Sequence, residues 1–278
     1  DWTACDRYFA AVLAETYPNR FYQHAGRTDR LHNSTTVSTL PTIWDRLAAA
    51  GRTGRYYFSD IPFLALWGTK YLSISSPFSQ FLLDAEAGTL PDVSYIDPRF
   101  EDESSGSSAD DHPHADIRAG EAFLNQVYDA VRTGPNWQNT LLVINYDEWG
   151  GFYDHVAPAT AADVSNETAR RGFRVPALII SPRARRGHVD HTVYDHTSIL
   201  CAIEWRWGLA PLTPRDAHAN NIARALDFQS PPRLATPTYT VPPFASAGCT
   251  APSSAVAEDA EWPDLRRLAL TEGWSLPA

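Results

Sequence analysis

The fold is decided by the stretch LLVINYDEWGG at residues 141–151. Its first six residues form a nearly continuous apolar run, which is typical of a strand covered on both faces of its sheet. Residues 177–181, ALIIS, form a second such run directly after Val175 and Pro176. Strands of this kind indicate an α/β protein, in which helices lie on both faces of a mainly parallel sheet.

Helical and strand patterns alternate along the rest of the chain. Apolar spacings of three and four residues predict helices over residues 4–13, 39–50, 77–87, 116–132, 196–207 and 262–272. Short runs bounded by Gly or Pro predict further strands over residues 55–58 and 92–96. In the helix over 116–132, the residues expected to face inward are Ile117, Phe123, Leu124, Val127 and Val131. The alternation predicts a three-layer α/β/α sandwich with a mainly parallel sheet.

The C-terminal part of the chain differs in composition from the rest. We expect residues 1–228 to form the α/β domain. Residues 229–278 are rich in Pro, Ser and Thr, and we expect an extended tail whose terminal helix packs on the same domain.

Composition limits the partners. The formal net charge is −10, which repels nucleic acid and anionic lipid and predicts no nucleic-acid partner. The short basic run of Arg183, Arg185 and Arg186 is read as a solvated loop, with phosphate steering as the alternative. No stretch has the roughly 20 apolar residues of a transmembrane helix.

The chain begins at Asp1, contains no methionine and shows no signal peptide, so we expect a processed or truncated product. Its composition favours a secreted, periplasmic or cell-envelope enzyme. Cys5, Cys201 and Cys249 show no CxxC spacing, which disfavours structural zinc and leaves any disulfide pairing open.

Acidic residues follow directly on the predicted strand at 141–146. Asp147 and Glu148 come first, two glycines allow a tight turn, and Asp154 and His155 follow. In open α/β sheets the chemistry lies at the carboxyl ends of the strands. Oxygen ligands suit a hard divalent cation, which His155 could assist. The structural alternative is a capped turn with solvated carboxylates.

The run TYPNR at residues 16–20 contains a candidate nucleophile. If Pro18 lies in the first turn of a helix, the Thr16 hydroxyl lies at its N-terminus, where the dipole favours an alkoxide and a bound phosphate. Arg20, about one turn later, could steady the hydroxyl or a phosphate oxygen. The alternative is an ordinary threonine N-cap before proline.

Two histidines lie in similar polar segments. His112 lies in DDHPH at residues 110–114, just before a predicted helix, and is a candidate base or phosphate contact. His196 lies in YDHTS at residues 194–198, where Asp195 could be a plain N-cap. For His112 the alternative is a solvent-exposed loop histidine.

Together these segments resemble the bacterial phosphoesterase family that contains phospholipases C and an acid phosphatase, within the alkaline phosphatase superfamily. The matching runs, in the family's order, are TYPNR at 16–20, DDHP at 110–113, YDEWGGFYDH at 146–155, RVPALIISP at 174–182, YDHTS at 194–198 and RDA at 215–217. They span nearly the whole chain up to Phe228. TYPNR also resembles the sulfatase pattern, in which the nucleophile lies two residues before Pro and four before Arg.

The resemblance implies a hydrolase of phospholipids or small phosphate esters. The hydroxyl of Thr16 would attack phosphorus and form a phospho-threonine that water then cleaves. One divalent ion (calcium, zinc or magnesium) would be bound by Asp147, Glu148 and Thr16 and would lower the pKa of the hydroxyl. Arg20 would support the nucleophile, and His112 would contact phosphate or protonate the leaving oxygen. The residues expected to support these groups or to face the substrate are Asp154, His155 and His196.

The chain departs from the family at its start. Family members begin with a strand leading into an ENRSFD-like segment that completes the metal site, and nothing like it precedes Asp1. We therefore expect the first strand and an acid–amide ligand pair to be missing. The segment lies on another chain, or the chain is a fragment, or this variant has lost activity.

Several functions remain open at this point. Phospholipase C activity is preferred, because the YDEWGGF and TYPNR runs resemble that branch more closely, with acid phosphatase activity as the alternative. A non-catalytic remnant acting as a binding module is a second class. A glycoside hydrolase using Asp147 with a distant Glu is disfavoured, because adjacent carboxylates do not easily flank a scissile bond at a separation of about 5 Å or more.

Overall fold

The computed structural model describes residues 1–248 and 261–277. The strands in this part of the chain are β1 (Thr3–Cys5), β2 (Tyr8–Phe9), β3 (Gly54–Phe58), β4 (Ser75–Pro77), β5 (Val93–Ile96), β6 (Leu142–Asn145), β7 (Ala177–Ile180), β8 (His188–Asp190) and β9 (Tyr194–Asp195). The α-helices are α1 (Thr16–Ala25), α2 (Ile43–Ala49), α3 (Phe78–Ala87), α4 (Ile117–Thr133), α5 (Thr197–Trp207), α6 (Pro214–Ala217) and α7 (Glu261–Thr271). The chain divides into two compact units.

The first unit comprises residues 1–34, 40–52 and 137–235. Its main sheet has the order β6-β7-β1-β8. Strand β1 pairs in parallel with β8, whereas β7 runs antiparallel to both β1 and β6. A separate parallel pair joins β2 to β9. The two apolar runs at 141–146 and 177–181 therefore contain neighbouring strands, but the expected cover on both faces is incomplete, because Leu178 is 39% exposed.

The helix predicted over residues 4–13 is wrong, because this segment contains β1 and β2. Residues 8–12 are all buried, so the apolar residues do not form one helical face but a run enclosed on every side. Their backbone groups pair with distant chain: the Ala10 amide donates to the Phe173 carbonyl at 2.9 Å and the Val175 amide to the Tyr8 carbonyl at 2.9 Å. Periodicity alone does not separate a short buried strand from a helix.

The second unit comprises residues 35–39, 53–136 and 236–278, within the described limits. Its three-stranded sheet, β4-β3-β5, is parallel throughout. The Asp84 carboxylate on α3 accepts hydrogen bonds from the Tyr57 hydroxyl at 2.6 Å and from Arg55 at 2.9 Å. These bonds satisfy a buried acid and tie α3 to β3.

Helices α4 and α7 follow their sequence patterns closely. Asp116 caps α4 by accepting the Arg118 amide at 3.1 Å. The prediction that the apolar side chains of α4 face inward is correct for Val127 and Val131, which are buried. It is wrong for Ile117, which follows the cap residue and is 65% exposed. In α7, Trp262, Leu265 and Ala269 are spaced by three and four residues and are all buried.

The predicted α/β class with mainly parallel strands is confirmed, since four of the six pairings between the strands described above are parallel. The domain boundary at residue 228, the missing first strand and the location outside the cytoplasm stay predictions. In the described ranges, no helix has both the length and the apolar character needed to cross a bilayer. Cys5 and Cys201 are free thiols, and Cys249 lies outside the described residues.

A buried acid pair connects α5 to α6. Glu204 on α5 is 4% exposed, and burial together with its hydrogen bond with Asp216 raises the pKa of Glu204 to about 9. Asp216 also accepts the backbone amide of Thr213 at 2.7 Å, and the Thr213 hydroxyl donates to the Gly26 carbonyl at the end of α1 at 2.9 Å. A proton on Glu204 therefore stabilises the contact between these three helices.

We expect Glu204→Gln to remove a pH dependence of stability. The folded chain keeps this proton up to about pH 9, whereas an unfolded chain releases it near the ordinary value of 4.5. The stabilisation that protonated Glu204 contributes is therefore fully present below pH 4.5. It is lost as the pH rises through the folded-state pKa of about 9. Because an amide mimics the protonated acid, the variant should be more stable than wild type near pH 9 by about 1 to 3 kcal/mol.

Urea unfolding near pH 5 and near pH 9 measures this difference. The control is Glu167→Gln, which changes an exposed glutamate of the same unit and should unfold like wild type at both values. Equal midpoints for Glu204→Gln and wild type near pH 9 would contradict the assignment.

Candidate active site

Helix α1 presents Thr16 at its N-terminus. The helix begins at Thr16, and its N-cap is Glu15, which makes no side-chain cap. The Glu15 carboxylate instead accepts the Asn33 amide and lies 2.9 Å from the His32 ring. Thr16 is half-buried, and its hydroxyl has no hydrogen-bond partner among the residues that the structure describes. Thr16 is therefore not an N-cap residue, and its hydroxyl lies beside the positive end of a ten-residue helix.

The loop before Thr16 is held by Asn19, a residue within TYPNR to which the sequence assigned no role. Its Oδ1 accepts the Val12 amide at 2.9 Å. Its Nδ2 donates to the carbonyls of Ala14 at 2.9 Å and Glu15 at 3.1 Å. One buried amide side chain thus fixes both the loop and the first turn, which sets the position of the Thr16 backbone.

Arg20 lies inside the unit. It is 4% exposed and lies on α1 one turn after Thr16. Burial, together with the nearby Arg20 charge, holds the pKa of His24 well below its ordinary value, so His24 is neutral. The role of Arg20 beside a phosphate stays a prediction.

Asp147 and Glu148 follow the end of β6, in the turn that the two glycines predict. Gly150 and Gly151 have φ angles of 65° and 75°, in the left-handed region that favours glycine. The Glu148 Oε2 accepts the Gly150 amide at 2.7 Å. The Asp147 carboxylate makes no hydrogen bond or ion pair within residues 1–248 and 261–277.

The His196 side chain forms a hydrogen bond with the backbone carbonyl of Asp147. The imidazole is fully buried, and its Nε2 lies 2.7 Å from the Asp147 carbonyl. Since a carbonyl only accepts, Nε2 carries the proton and donates. Its Nδ1 lies 3.3 Å from the Tyr8 hydroxyl, which donates to it. Burial lowers the pKa of His196, so the ring is a neutral link between β2, α5 and Asp147.

Asp154 anchors the far end of this turn. Its carboxylate accepts two hydrogen bonds from the Arg174 guanidinium, at 2.6 and 2.8 Å. This bidentate pair lowers the pKa of Asp154, so the carboxylate stays ionised. His155 lies 3.4 Å from Asp154, and its side chain is 84% exposed. Asp154 therefore holds the loop in place, and His155 faces solvent.

Gly172 brings the segments around Thr16 and Asp147 together. A Cβ atom on Gly172 would lie 2.7 Å from the Val12 carbonyl and 2.8 Å from the Trp149 ring. The Trp149 ring also packs edge-on against Phe173, with ring centroids 5.5 Å apart. The segment that leads into α1 and the segment that follows β6 therefore both contact Gly172 and Phe173.

A buried ionic network, which the sequence did not predict, supports the same region. Arg215 is 1% exposed and donates to the Ala11 carbonyl at 2.6 Å, just before the nucleophile loop. It also donates to Asp163 at 2.9 Å and to Asp195 at 3.2 Å. Arg171 donates to the same Asp195 oxygen at 2.6 Å. The sequence signals for this network are the RDA run at 215–217, which carried no predicted role, and Asp195 in YDHTS, for which only an N-cap role was considered.

His112 lies in the second unit, whereas the other predicted site residues lie in the first. Its Nδ1 lies 3.0 Å from Oε2 of Glu103, a carboxylate that is 2% exposed. Its backbone amide donates to Asp110 at 3.3 Å. Burial and the nearby Glu103 charge raise the pKa of Asp110 to about 7. His112 is therefore not a solvated loop histidine but part of an acidic cluster, and its phosphate contact stays a prediction.

The residues present fit a divalent ion only in part. Among the residues that the structure describes, no three His, Cys, Asp or Glu side chains lie close enough to bind one together. Asp147, Glu148 and the Thr16 hydroxyl would supply at most three ligand residues. Calcium takes six to eight oxygens, and magnesium near-octahedral coordination that includes water. Asp147, Glu148 and Thr16 therefore supply only part of the coordination shell of such an ion.

Known proteins resemble this chain over most of its length. The chain is 34% identical to non-specific phospholipase C1 of Arabidopsis thaliana over 264 residues, which cover 84% of this chain and 49% of that protein. It is 29% identical to non-hemolytic phospholipase C of Pseudomonas aeruginosa, over 83% of this chain and 41% of that protein. The chain thus spans about half the length of the curated relatives it matches.

A solved structure has a similar fold, and a family model identifies the family to which the chain belongs. A protein of the alkaline phosphatase superfamily from Vibrio parahaemolyticus superposes with a TM-score of 0.51 at 11% identity, over 100% of this chain and 81% of that one. That likeness concerns the fold alone. The model of the Phosphoesterase family matches residues 1–210, a range that includes all the predicted site residues. The chain therefore belongs to the Phosphoesterase family.

Proposed function

We propose that the protein hydrolyses phosphate esters with Thr16 as the nucleophile, and that its reaction is phosphodiester cleavage of the phospholipase C type. The observation that carries the proposal is the Thr16 hydroxyl, which lies at the N-terminus of α1 without a hydrogen-bond partner in the described chain. A hydroxyl used for capping would be bonded to a backbone amide. Family membership over residues 1–210 supports a phosphate ester as substrate.

The chemistry follows from this position. The Thr16 oxygen forms a bond to phosphorus while the bond from phosphorus to the leaving oxygen breaks, and the leaving oxygen takes up a proton. Water then attacks the threonine ester and releases the hydroxyl. The Thr16 backbone amide would stabilise the charge on the phosphoryl oxygens, whereas the Tyr17 amide already donates to Asn33 Oδ1 at 2.8 Å and Pro18 has no amide hydrogen. Asn19 keeps the hydroxyl in place by fixing the loop on either side.

A divalent ion is part of the proposal. Asp147 and Glu148 would hold it, together with Thr16, and the remaining ligands would come from water, from substrate or from an acid–amide pair such as the family's ENRSFD-like segment supplies. Such an ion, when bound, would favour the ionised hydroxyl and neutralise phosphoryl charge. The Asp147 carboxylate supports this assignment, because it makes no hydrogen bond or ion pair with any residue that the structure describes.

A lipid-like substrate is preferred over a small phosphomonoester. The named phospholipases C among the relatives support this preference. So do Phe152 and Tyr153, which follow the glycine turn and are 68% and 83% exposed. Exposed aromatic rings next to a polar site suit a substrate with an apolar part. Acid phosphatase activity is the alternative.

Hydrolysis of p-nitrophenyl phosphorylcholine and p-nitrophenyl phosphate by the purified chain tests the proposal. Each substrate is tested after chelation and after addition of calcium, zinc or magnesium. We expect turnover that depends on a metal and is faster with the phosphorylcholine diester. Faster turnover of the monoester would assign the protein as a phosphatase. No turnover under any of these conditions would favour a non-catalytic binding module.

A further inference from the structure

A buried carboxylate that the proposed function leaves unused lies against His112. Glu103 Oε2 approaches His112 Nδ1 to 3.0 Å, as an ion-pair contact rather than a straight hydrogen bond. Catalytic hydrogen bonds are often poorly aligned before substrate binds. Other titratable groups near His112 include Asp110, which accepts the His112 backbone amide at 3.3 Å, and His114, whose ring centroid lies 6.0 Å from that of His112.

The C-terminal helix fixes Glu103. The Trp262 indole on α7 donates to Glu103 Oε1 at 2.9 Å. Trp262 in turn stacks on Phe100, with ring centroids 4.4 Å apart and planes at 8°. The Phe100 amide donates to the buried Asp60 carboxylate at 2.9 Å. Helix α7 lies beyond residue 210, where the family match ends, so residues outside that match hold this carboxylate.

The carboxylates of Asp110 and Glu103 interact with each other beside His112. Burial and the nearby Glu103 raise the pKa of the half-buried Asp110, because two neighbouring carboxylates do not both ionise easily. Asp110 is therefore the acid that takes up a proton near neutrality. The Glu103 carboxylate, which accepts the Trp262 indole through Oε1, lies beside the imidazole through Oε2. An opposite charge at this distance favours the protonated form of histidine.

We propose that Glu103 is a positioning residue that orients the His112 imidazole and keeps it protonated, and that α7 holds Glu103 in place through Trp262. The inference rests on the proposed function and on the resemblance to the phosphoesterase family, which implies that His112 contacts phosphate or protonates the leaving oxygen. A general acid acts only while it carries its proton, so Glu103 sets the highest pH at which His112 serves.

The test combines a titration with kinetics on the full chain. The His112 ring signal in labelled protein is identified by its absence in His112→Gln and followed by NMR against pH in wild type and Glu103→Gln. We expect Glu103→Gln to lose the imidazole proton about one pH unit lower. With a phospholipid such as phosphatidylcholine, whose leaving alkoxide must take up a proton, kcat should fall about 10- to 100-fold with little change in KM, and the alkaline limb of the pH profile should move in the same direction.

Matched controls come from the same loop and the same end of the chain. Glu101 also binds α7, through an ion pair with Arg266, so Glu101→Gln should leave the His112 titration unchanged. Trp262→Phe keeps the ring but removes the donor and should lower the titration point. Trp274→Phe removes another buried indole bond, to the Gly68 carbonyl at 3.1 Å, and should leave the titration point unaltered.

The outcomes separate this inference from the proposed function. A wild-type chain without turnover would count against the proposed function, while the titration would still decide the role of Glu103. An unchanged His112 titration in a folded Glu103→Gln protein would overturn the inference. If Glu103→Gln does not fold, wild-type His112 must still titrate above the ordinary value of about 6.5 and Trp262→Phe must lower it. Failure of either result overturns the inference.

Discussion

Replacing Thr16 by alanine is expected to reduce kcat by at least about a thousandfold, because the variant has no oxygen to form the ester with phosphorus. Its stability should hardly change, since the hydroxyl bonds to no described residue and Thr16 does not cap α1. The measurement is steady-state hydrolysis of p-nitrophenyl phosphorylcholine with the activating metal, beside urea unfolding of the same samples.

Two further variants separate the nucleophile from packing. Thr16→Ser keeps a hydroxyl and should retain activity within about tenfold of wild type, whereas Thr16→Val keeps the shape and should be as inactive as alanine. An alanine variant that retained more than about a tenth of wild-type kcat would exclude Thr16 as nucleophile.

Replacing Arg215 by methionine is expected to cost about 3 to 5 kcal/mol of unfolding free energy. Methionine fills much of the volume but leaves the Asp163 carboxylate buried without this cation and the Asp195 carboxylate paired with Arg171 alone. Although burial raises the pKa of Asp195, Arg215 and Arg171 hold it below its ordinary value of 3.8. A lowered pKa contributes stability that is present above 3.8 and lost as the pH falls, so the variant and wild type should converge in acid.

Denaturant unfolding at neutral pH and near pH 3 measures both effects. The surface control is Arg267→Met, which breaks an exposed ion pair with Asp264 and should unfold like wild type. Adding Asp163→Asn to Arg215→Met should restore part of the loss, because it removes the buried Asp163 charge that Arg215 no longer pairs. A loss below about 1 kcal/mol for Arg215→Met would mean that the network is not needed for stability.

The strands and helices that the sequence predicts best are those with an unambiguous period or composition. The apolar runs that became β6 and β7, and the helix that became α4 with Asp116 as its cap, are clear from residue types alone. Strands β1 and β2 are not, because they are three and two residues long and gain their stability from pairing with distant chain. A pattern within residues 4–13 contains no information on such partners.

For the candidate site, the sequence predicted residue types better than contacts. Motif spacing singled out Thr16, Asp147 and His196, and the structure adds that His196 acts on the Asp147 backbone. Asn19 was visible within TYPNR, but its bonds on both sides of Thr16 depend on the fold of the loop. Arg215 and Glu103 were not singled out, because a buried charge is recognised only by the partners that folding brings to it.

The measurement that tests the nucleophile most directly is mass spectrometry of acid-quenched protein after brief exposure to p-nitrophenyl phosphorylcholine and the activating metal. If Thr16 is the nucleophile, a phosphorylcholine ester forms on the peptide that contains Thr16 while p-nitrophenol is released, and it is absent from Thr16→Val. Steady release of p-nitrophenol with no adduct on that peptide, or an adduct on another residue, would contradict the account.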